Sequence, residues 1–290
     1  MIRKLFEQSG RNAIVVIPAC ARSVTGLVET IERTAERADV VEVRLDYLPA
    51  SEIYAGARLA LESVFSVPLL LTLRPVAQGG EIDLDLAARR EFWSTLSNHN
   101  SFFDWELDLA ESFTVSGPSL DWDRIVCSYH HFQGVPSDLA AIFQRMMLTP
   151  ALILKLAVMA GEITDCLPVL NCLDHARYAK RELIAIAMGE AGLLTRLLGA
   201  AWGSRVTYAA AEANCATAPG QLTVAELLDQ FRVKNVNVDT QVFGIIGKTV
   251  SHSLSPAIHG AALANTGVDG VYIPLPVEKC GAFLRRVVHP

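Results

Sequence analysis

The feature that most constrains this chain is a rhythm. Short apolar runs alternate with longer amphipathic ones from Ala13 to Phe231. "AIVVIPA" (13–19) reads as a strand, and "SVTGLVETIERTAERA" (23–38) as the helix after it, with Ser23 as its cap. "VVEVRLDYL" (40–48) and "SEIYAGARLALESVF" form the second pair, "PLLLTLR" (68–74) and "LDLAARREFWSTLSNH" the third. "FFDWELDL" (102–109) reads as a fourth strand with only a short polar connection after it. "RIVCSYHHF" (124–132), "ALILKLAVM" (151–159), "ELIAIAM" (182–188) and "RVTYAAAE" (205–212) continue the series, each with a helix, the last being "LTVAELLDQF" (222–231). Such a series predicts an α/β fold, a (β/α)8 TIM-type barrel of parallel strands wrapped by helices. The alternative, a doubly wound open sheet, needs a glycine-rich phosphate turn after its first strand, and "AIVVIPACARS" has none.

After Phe231 the pattern breaks. "RVKNVNVDTQ" reads as a linker, "VFGIIG" as a new strand, "SPAIHGAALANTG" as a helix with Pro256 near its start, and "GVYIPLPV" as a further strand. "EKCGAFLRRVV" reads as a last helix. The expected division is therefore a barrel over 1–235 and an incomplete second α/β segment over 242–290. That segment, without the rest of a domain to pack on, is expected to be mobile, docked on the barrel or paired with another chain.

Composition removes several classes of function. Of 290 residues, 51% are hydrophobic and 19% charged, so a large core forms readily; the net charge of −6 and the lack of a basic run disfavour nucleic acid and anionic membranes as partners. The apolar stretches fall short of the ~18–20 residues a membrane span needs. "MIRKLFEQSGRN" does not read as a signal peptide. The six cysteines are scattered without a C-x-x-C pair, as in a reduced, cytoplasmic protein.

Candidate chemistry sits at the strand ends. Glu42, Arg44 and Asp46 in "EVRLD" are two apart, which on a strand puts them on one face, here the barrel interior. Arg74 closes the third strand. His130 and His131 are adjacent, so only one faces inward, and parity alone does not choose between them. Lys155 is the one charge in "ALILKLAVM". Buried there, its pKa is expected to fall, by ~2–4 in strong cases, which gives the neutral amine a Schiff-base nucleophile needs. Arg196 and the turn "TAPGQ" (217–221) follow the seventh and eighth strands, and a guanidinium there can clamp a carboxylate.

Taken together these residues resemble type I 3-dehydroquinate dehydratase, over roughly residues 12–233. The motifs are E-x-R-x-D at Glu42, T-x-R at Arg74, S-x-H at His130, "KLAVM" at Lys155, M-G-x-x-G-x-x-[ST]-R ending at Arg196 and A-P-G-Q ending at Gln221. The stretch 244–277 resembles the start of shikimate dehydrogenase, with Ser253 and Ser255 of "HSLSP" at that family's shikimate-carboxylate hydroxyls. The resemblance implies a shikimate-pathway lyase in which Lys155 forms an imine with 3-dehydroquinate and His130 moves the protons. Arg196 and Gln221 would hold the carboxylate; Glu42, Arg44 and Arg74 would orient the ring hydroxyls, with Asp46 and Thr217 as weaker candidates. The dehydratase would need no metal or cofactor, and NADP would belong only to a full-length dehydrogenase domain. Two positions depart from the family pattern: Gln78 and His131 stand where Glu and Asp are frequent. Activity is expected to survive both, with a shifted pH profile. A class I aldolase, and a non-catalytic binding module, are the competing readings.

Overall fold

The computed structural model describes residues 12–96, 101–115 and 121–285. The reading of the first residues, the end of the third helix after Leu96 and the close of the last helix lie at least partly outside them.

Eight parallel strands form one sheet: β1 (Ile14–Ala19), β2 (Val40–Arg44), β3 (Leu69–Thr72), β4 (Phe102–Glu106), β5 (Ile125–His131), β6 (Ile153–Met159), β7 (Glu182–Met188) and β8 (Val206–Tyr208). Each neighbours the next in chain order, and β8 returns to pair with β1 through Ile14–Val206 and Val16–Tyr208, the arrangement of a TIM-type barrel. The helices between them are α1 (Val24–Ala35), α2 (Ile53–Glu62), α3 (Leu86–Leu96), α4 (Leu107–Val115), α5 (Leu139–Leu148), α6 (Cys166–Tyr178) and α7 (Leu193–Trp202). Ser23 caps α1 as expected, its Oγ accepting the Gly26 N–H at 3.2 Å. The final helical turn, Glu226–Gln230, winds as a π-helix.

Period-two alternation sorts the core. Leu154, Leu156 and Val158 of β6 face the helices, while Ile153 and Ala157 face inward beside Val40, Leu70, Phe102, Val126, Ile184 and Val206. Lys155 lies between Ile153 and Ala157, so its side chain enters the barrel. The same parity carries inward Glu42 and Arg44 on β2, Thr72 on β3, Asp104 and Glu106 on β4, and Ser128 and His130 on β5. The barrel floor is apolar, and the layer above it is polar.

Three readings change. The fourth strand stops at Glu106, and the supposed connection is helix α4, which buries Leu107, Leu109, Ala110 and Phe113. β2 ends at Arg44, and Asp46 belongs to a 3-10 turn, Leu45–Tyr47, so the E-x-R-x-D residues are not three positions of one strand. The "linker" is packed down: Val233 and Val236 are buried, and Lys234 Nζ meets Asp39 at 2.8 Å.

The C-terminal segment forms a second, two-stranded parallel sheet, β9 (Gln241–Gly247) with β10 (Gly270–Pro276), bridged by α8 (Ser255–Thr266) and followed by a short α9 (Cys280–Phe283). It is docked: Val271, Ile273, Val277 and Phe283 join the main core, and Arg232 donates to the carbonyls of Gly260 (3.4 Å) and Gly270 (3.3 Å). β9 keeps Val242, Phe243 and Ile246 exposed. Among the described residues, no helix is long and apolar enough to cross a membrane.

Candidate active site

At the C-terminal ends of the strands lies a small cavity of about 50 Å³. Its lining includes Glu42, Arg44, Arg74, His130, Lys155, Arg196, Thr217 and Gln221, eight positions singled out from the sequence, together with Gln78 and Tyr208. Asp46 is not in the lining. It grips Arg44 in two-point fashion, Nε–Oδ1 at 2.9 Å and Nη2–Oδ2 at 2.7 Å, and so aims the guanidinium.

Lys155 Nζ donates to Asp104 Oδ2 at 3.0 Å and to Glu42 Oε1 at 3.4 Å. Asp104 in turn pairs with Arg74 at 2.7 Å and accepts from Ser128 Oγ at 2.5 Å. Arg74 also meets Glu106 at 2.6 Å, and Glu106 meets Arg89 of α3 at 2.8 Å. The base of the site is therefore a continuous chain of alternating charges on β2, β4 and β6 and on Arg74 just after β3, with one helical arginine behind it.

His130 is resolved by its partners. Its backbone N–H donates to Gln78 Oε1 at 2.9 Å, and its Nδ1 sits 3.3 Å from the same oxygen. An amide oxygen only accepts, so Nδ1 carries the proton and Nε2 keeps its lone pair. His131 turns away, with Nδ1 at 2.8 Å from the Gly134 carbonyl and its ring over Tyr129.

Across the cavity Arg196 comes from the first turn of α7. A tight turn puts it there: a Cβ at Gly192 would lie 2.1 Å from the Ala187 carbonyl oxygen. Arg196 is 2% exposed, its Nη2 reaches only the Pro219 carbonyl at 3.4 Å, and its Nε has no partner among the described residues. The facing loop holds Gln221, whose Oε1 accepts from Thr217 N at 2.7 Å and Oγ1 at 3.3 Å. Gly220 lets the loop approach: its φ is +68°, and a Cβ would lie 2.4 Å from the Gly189 carbonyl oxygen.

Residues 15–238 match the family model for type I 3-dehydroquinase. The chain belongs to that family. Residues 245–289 match the shikimate dehydrogenase substrate binding domain. A bifunctional 3-dehydroquinate dehydratase/shikimate dehydrogenase, chloroplastic, of Arabidopsis thaliana is 32% identical over 279 residues, covering 94% of this chain and 46% of the relative. The chain thus spans about half the length of that curated relative. A 3-dehydroquinate dehydratase of Methanocella arvoryzae is 33% identical over 222 residues, 74% of this chain and 96% of the relative. The crystal structure of 3-dehydroquinate dehydratase from Geobacillus kaustophilus superposes with a TM-score of 0.64 at 27% identity, covering 74% of this chain and 88% of that one.

In this type I dehydroquinase the lysine is not the neutral amine expected from its apolar neighbours. Burial pulls its pKa down, but the carboxylates of Asp104 and Glu42 outweigh burial and hold it above the ordinary lysine value. The apolar neighbours Leu154 and Leu156 face the helices, so they do not set its charge. Burial works to raise the Asp104 carboxyl, yet Arg74 and Lys155 hold it well below the usual range. Burial, then the charges of Arg74 and Lys155, keep the His130 imidazole well below the ordinary histidine value. Burial, with no carboxylate opposite, lowers Arg196 to about 10.

The sequence reading missed Asp104, Glu106 and Tyr208, and had Ser128 only as the first position of S-x-H. Asp104 and Glu106 carried the same two-residue spacing as Glu42 and Arg44, so parity on "FFDWE" was the available signal. In the C-terminal segment, Ser253 lines a second cavity shared with Gly220 and Gln221, and its Oγ accepts the Ser255 N–H at 3.2 Å; Ser255 starts α8 and is absent from that lining.

Proposed function

We propose that this chain dehydrates 3-dehydroquinate to 3-dehydroshikimate, the carbon–oxygen lyase step of the shikimate pathway, through a Schiff base on Lys155. The observation that carries the reading is one cavity lined by the Lys155 ammonium, the His130 imidazole and the buried Arg196 guanidinium, which has no counter-ion among the described residues. Membership of the type I family and the dehydratase relatives support it, and the family match sets the aldolase and binding-module readings aside.

The chemistry follows from the parts. The Lys155 ammonium gives a proton to His130, and the freed amine adds to the ring ketone. His130 returns that proton to the carbinolamine hydroxyl, which leaves as water and yields an iminium. The iminium draws electrons from the adjacent C–H bond, and His130 Nε2 removes that proton. The electron pair then expels the hydroxyl two carbons from the imine, with the imidazolium giving its proton back so that water leaves. Hydrolysis of the conjugated imine returns the Lys155 amine. The net change is loss of one water.

Arg196, with Gln221 set by Thr217, holds the substrate carboxylate in two-point fashion. Glu42, Arg44 and Arg74 orient the ring hydroxyls; Arg74 does so while its nitrogens fix Asp104 and Glu106. Asp104 is the counter-ion that positions Lys155 and then faces the iminium charge. The dehydratase unit corresponds to 1–235. We assign 242–290 to the opening segment of a shikimate dehydrogenase-like domain, with Ser253 and Ser255 toward the shikimate carboxylate. Hydride transfer and NADP binding are functions of a complete shikimate dehydrogenase domain. Six free cysteines, with burial pushing the thiols of Cys20, Cys127 and Cys166 up to about 12, favour the reducing cytoplasm. The test is direct: purified protein mixed with 3-dehydroquinate should build up the absorbance of a conjugated enone. A flat trace at enzyme concentrations near those of substrate would refute the assignment.

A further inference from the structure

Tyr208 closes β8, and its side chain turns into the barrel, where it lines the cavity. Lys155 Nζ lies over its ring, 4.1 Å from the centroid. The residue is 5% exposed, and its hydroxyl has no hydrogen-bond partner among the described residues. A buried hydroxyl left unsatisfied loses its hydration with no bond in return and so costs stability. A phenylalanine would fill the same space without that cost, so the hydroxyl calls for a partner that arrives with the substrate.

The surrounding donors narrow what that partner is. Around the lysine, the Thr72 hydroxyl donates to Glu42 and the Ser128 hydroxyl to Asp104. Arg74 is engaged by Asp104 and Glu106, Arg44 by Asp46, and the His130 Nδ1 proton by Gln78. Tyr208 is the donor beside the amine that the protein itself leaves unused. Burial keeps the phenol protonated, more than offsetting the nearby ammonium, so it stays a donor across the working pH range. The substrate atom that most needs a donor there is the oxygen on which negative charge collects as the amine adds.

We propose, resting on the dehydratase reading above, that the Tyr208 hydroxyl hydrogen-bonds the oxygen of the ketone that Lys155 attacks, and so is a catalytic residue for imine formation. The Nζ lone pair forms the new C–N bond, and the C=O π pair moves onto the oxygen held by the phenol. The two protons that nitrogen loses, one before the addition and one after it, reach that oxygen through His130, and water leaves. Tyr208 keeps its own proton throughout. Its ring face, against the nitrogen, also supports the cationic iminium that follows.

The test is Tyr208→Phe, which keeps the ring and removes only the hydroxyl. In rapid-quench experiments with borohydride, the rate at which wild-type enzyme and 3-dehydroquinate form a trapped adduct is compared with that of the variant. A fall of roughly 100–1000-fold is expected from loss of one donor to a developing oxyanion. Thermal stability of the free protein should be unchanged or raised, and affinity for a ketone-free analogue such as quinate should be unchanged. Trapping at the wild-type rate would overturn the inference while leaving the dehydratase reading intact. So would a loss of quinate affinity equal to the loss of rate, since the hydroxyl would then serve binding in general. Absence of any adduct with wild-type enzyme would remove the dehydratase reading and this inference together.

Discussion

The two ends of the cavity are built on opposite rules. At the lysine end every charge is answered inside the protein: Lys155 by Asp104 and Glu42, Asp104 by Arg74, Glu106 by Arg74 and Arg89. At the other end Arg196 is equally buried, yet meets only a carbonyl at 3.4 Å. The continuous chain of charges fixes reacting groups in place before substrate arrives. The open guanidinium stores a desolvation cost that an incoming carboxylate relieves. One end is made for chemistry, and the other waits for a ligand.

Substitutions can break that contrast. Arg196→Met should reduce kcat/KM by roughly 30–1000-fold, because a buried charged contact to the substrate is worth ~2–4 kcal/mol, with most of the loss in KM. The same change should leave the urea midpoint of the free protein unchanged or raised, since it removes an unpaired buried charge. Steady-state kinetics and urea titration of one preparation check both halves. A destabilised Arg196→Met protein would show that the guanidinium has a structural partner after all.

Asp104→Asn should do the reverse. It strips the counter-ion from Arg74 and Lys155, and the expected loss of stability is ~3–5 kcal/mol. The pH dependence follows from the direction of each shift. The Asp104 contribution is present above the unfolded carboxyl value of about 4 and is lost as pH falls through its lowered folded value. The Lys155 contribution is present below about 10.4 and is lost as pH rises through its raised folded value. The stability gap between wild type and variant should therefore be flat from about pH 7 to 10 and narrow above it. Below about pH 7 it shifts as Glu106, which burial and the Asp104 charge push up to about 6, takes up its proton, and it narrows once Asp104 itself is protonated. A gap that changes between about pH 7 and 10 would point to another titrating group.

The smallest effect concerns the imidazole. His130 is held well below the ordinary histidine value, so the acid limb of kcat/KM should lie below about pH 6.5. Gln78→Glu places a carboxylate against Nδ1, favours the imidazolium and should move that limb upward by about one pH unit. A pH–rate profile that does not move with Gln78→Glu would separate the amide from control of the base.

Much of the site was readable along the chain because strands alternate with period two. Glu42 and Arg44 could be placed near the barrel interior from their spacing, and the helix–strand rhythm gave the barrel, whereas parity did not choose His130 over His131 and Lys155 stood out by its apolar run. Two kinds of information were not local. Helix α4 was hidden because "FFDWELDLAESF" has no turn residue between strand and helix. The charge on Lys155 depends on carboxylates 51 and 113 positions away in sequence, so a run of apolar neighbours pointed to the wrong sign. Tyr208 reads as an ordinary core aromatic until the lysine is seen over its ring.

The central claim is that Lys155 forms a covalent imine with 3-dehydroquinate. Borohydride added to enzyme and substrate, followed by intact mass and peptide mapping, tests it most directly. The account predicts one reduced adduct on the peptide carrying Lys155. It also predicts none in Lys155→Ala, whose turnover should fall by roughly 10⁴-fold or more. An adduct on another lysine, or full dehydratase activity in Lys155→Ala, would contradict it.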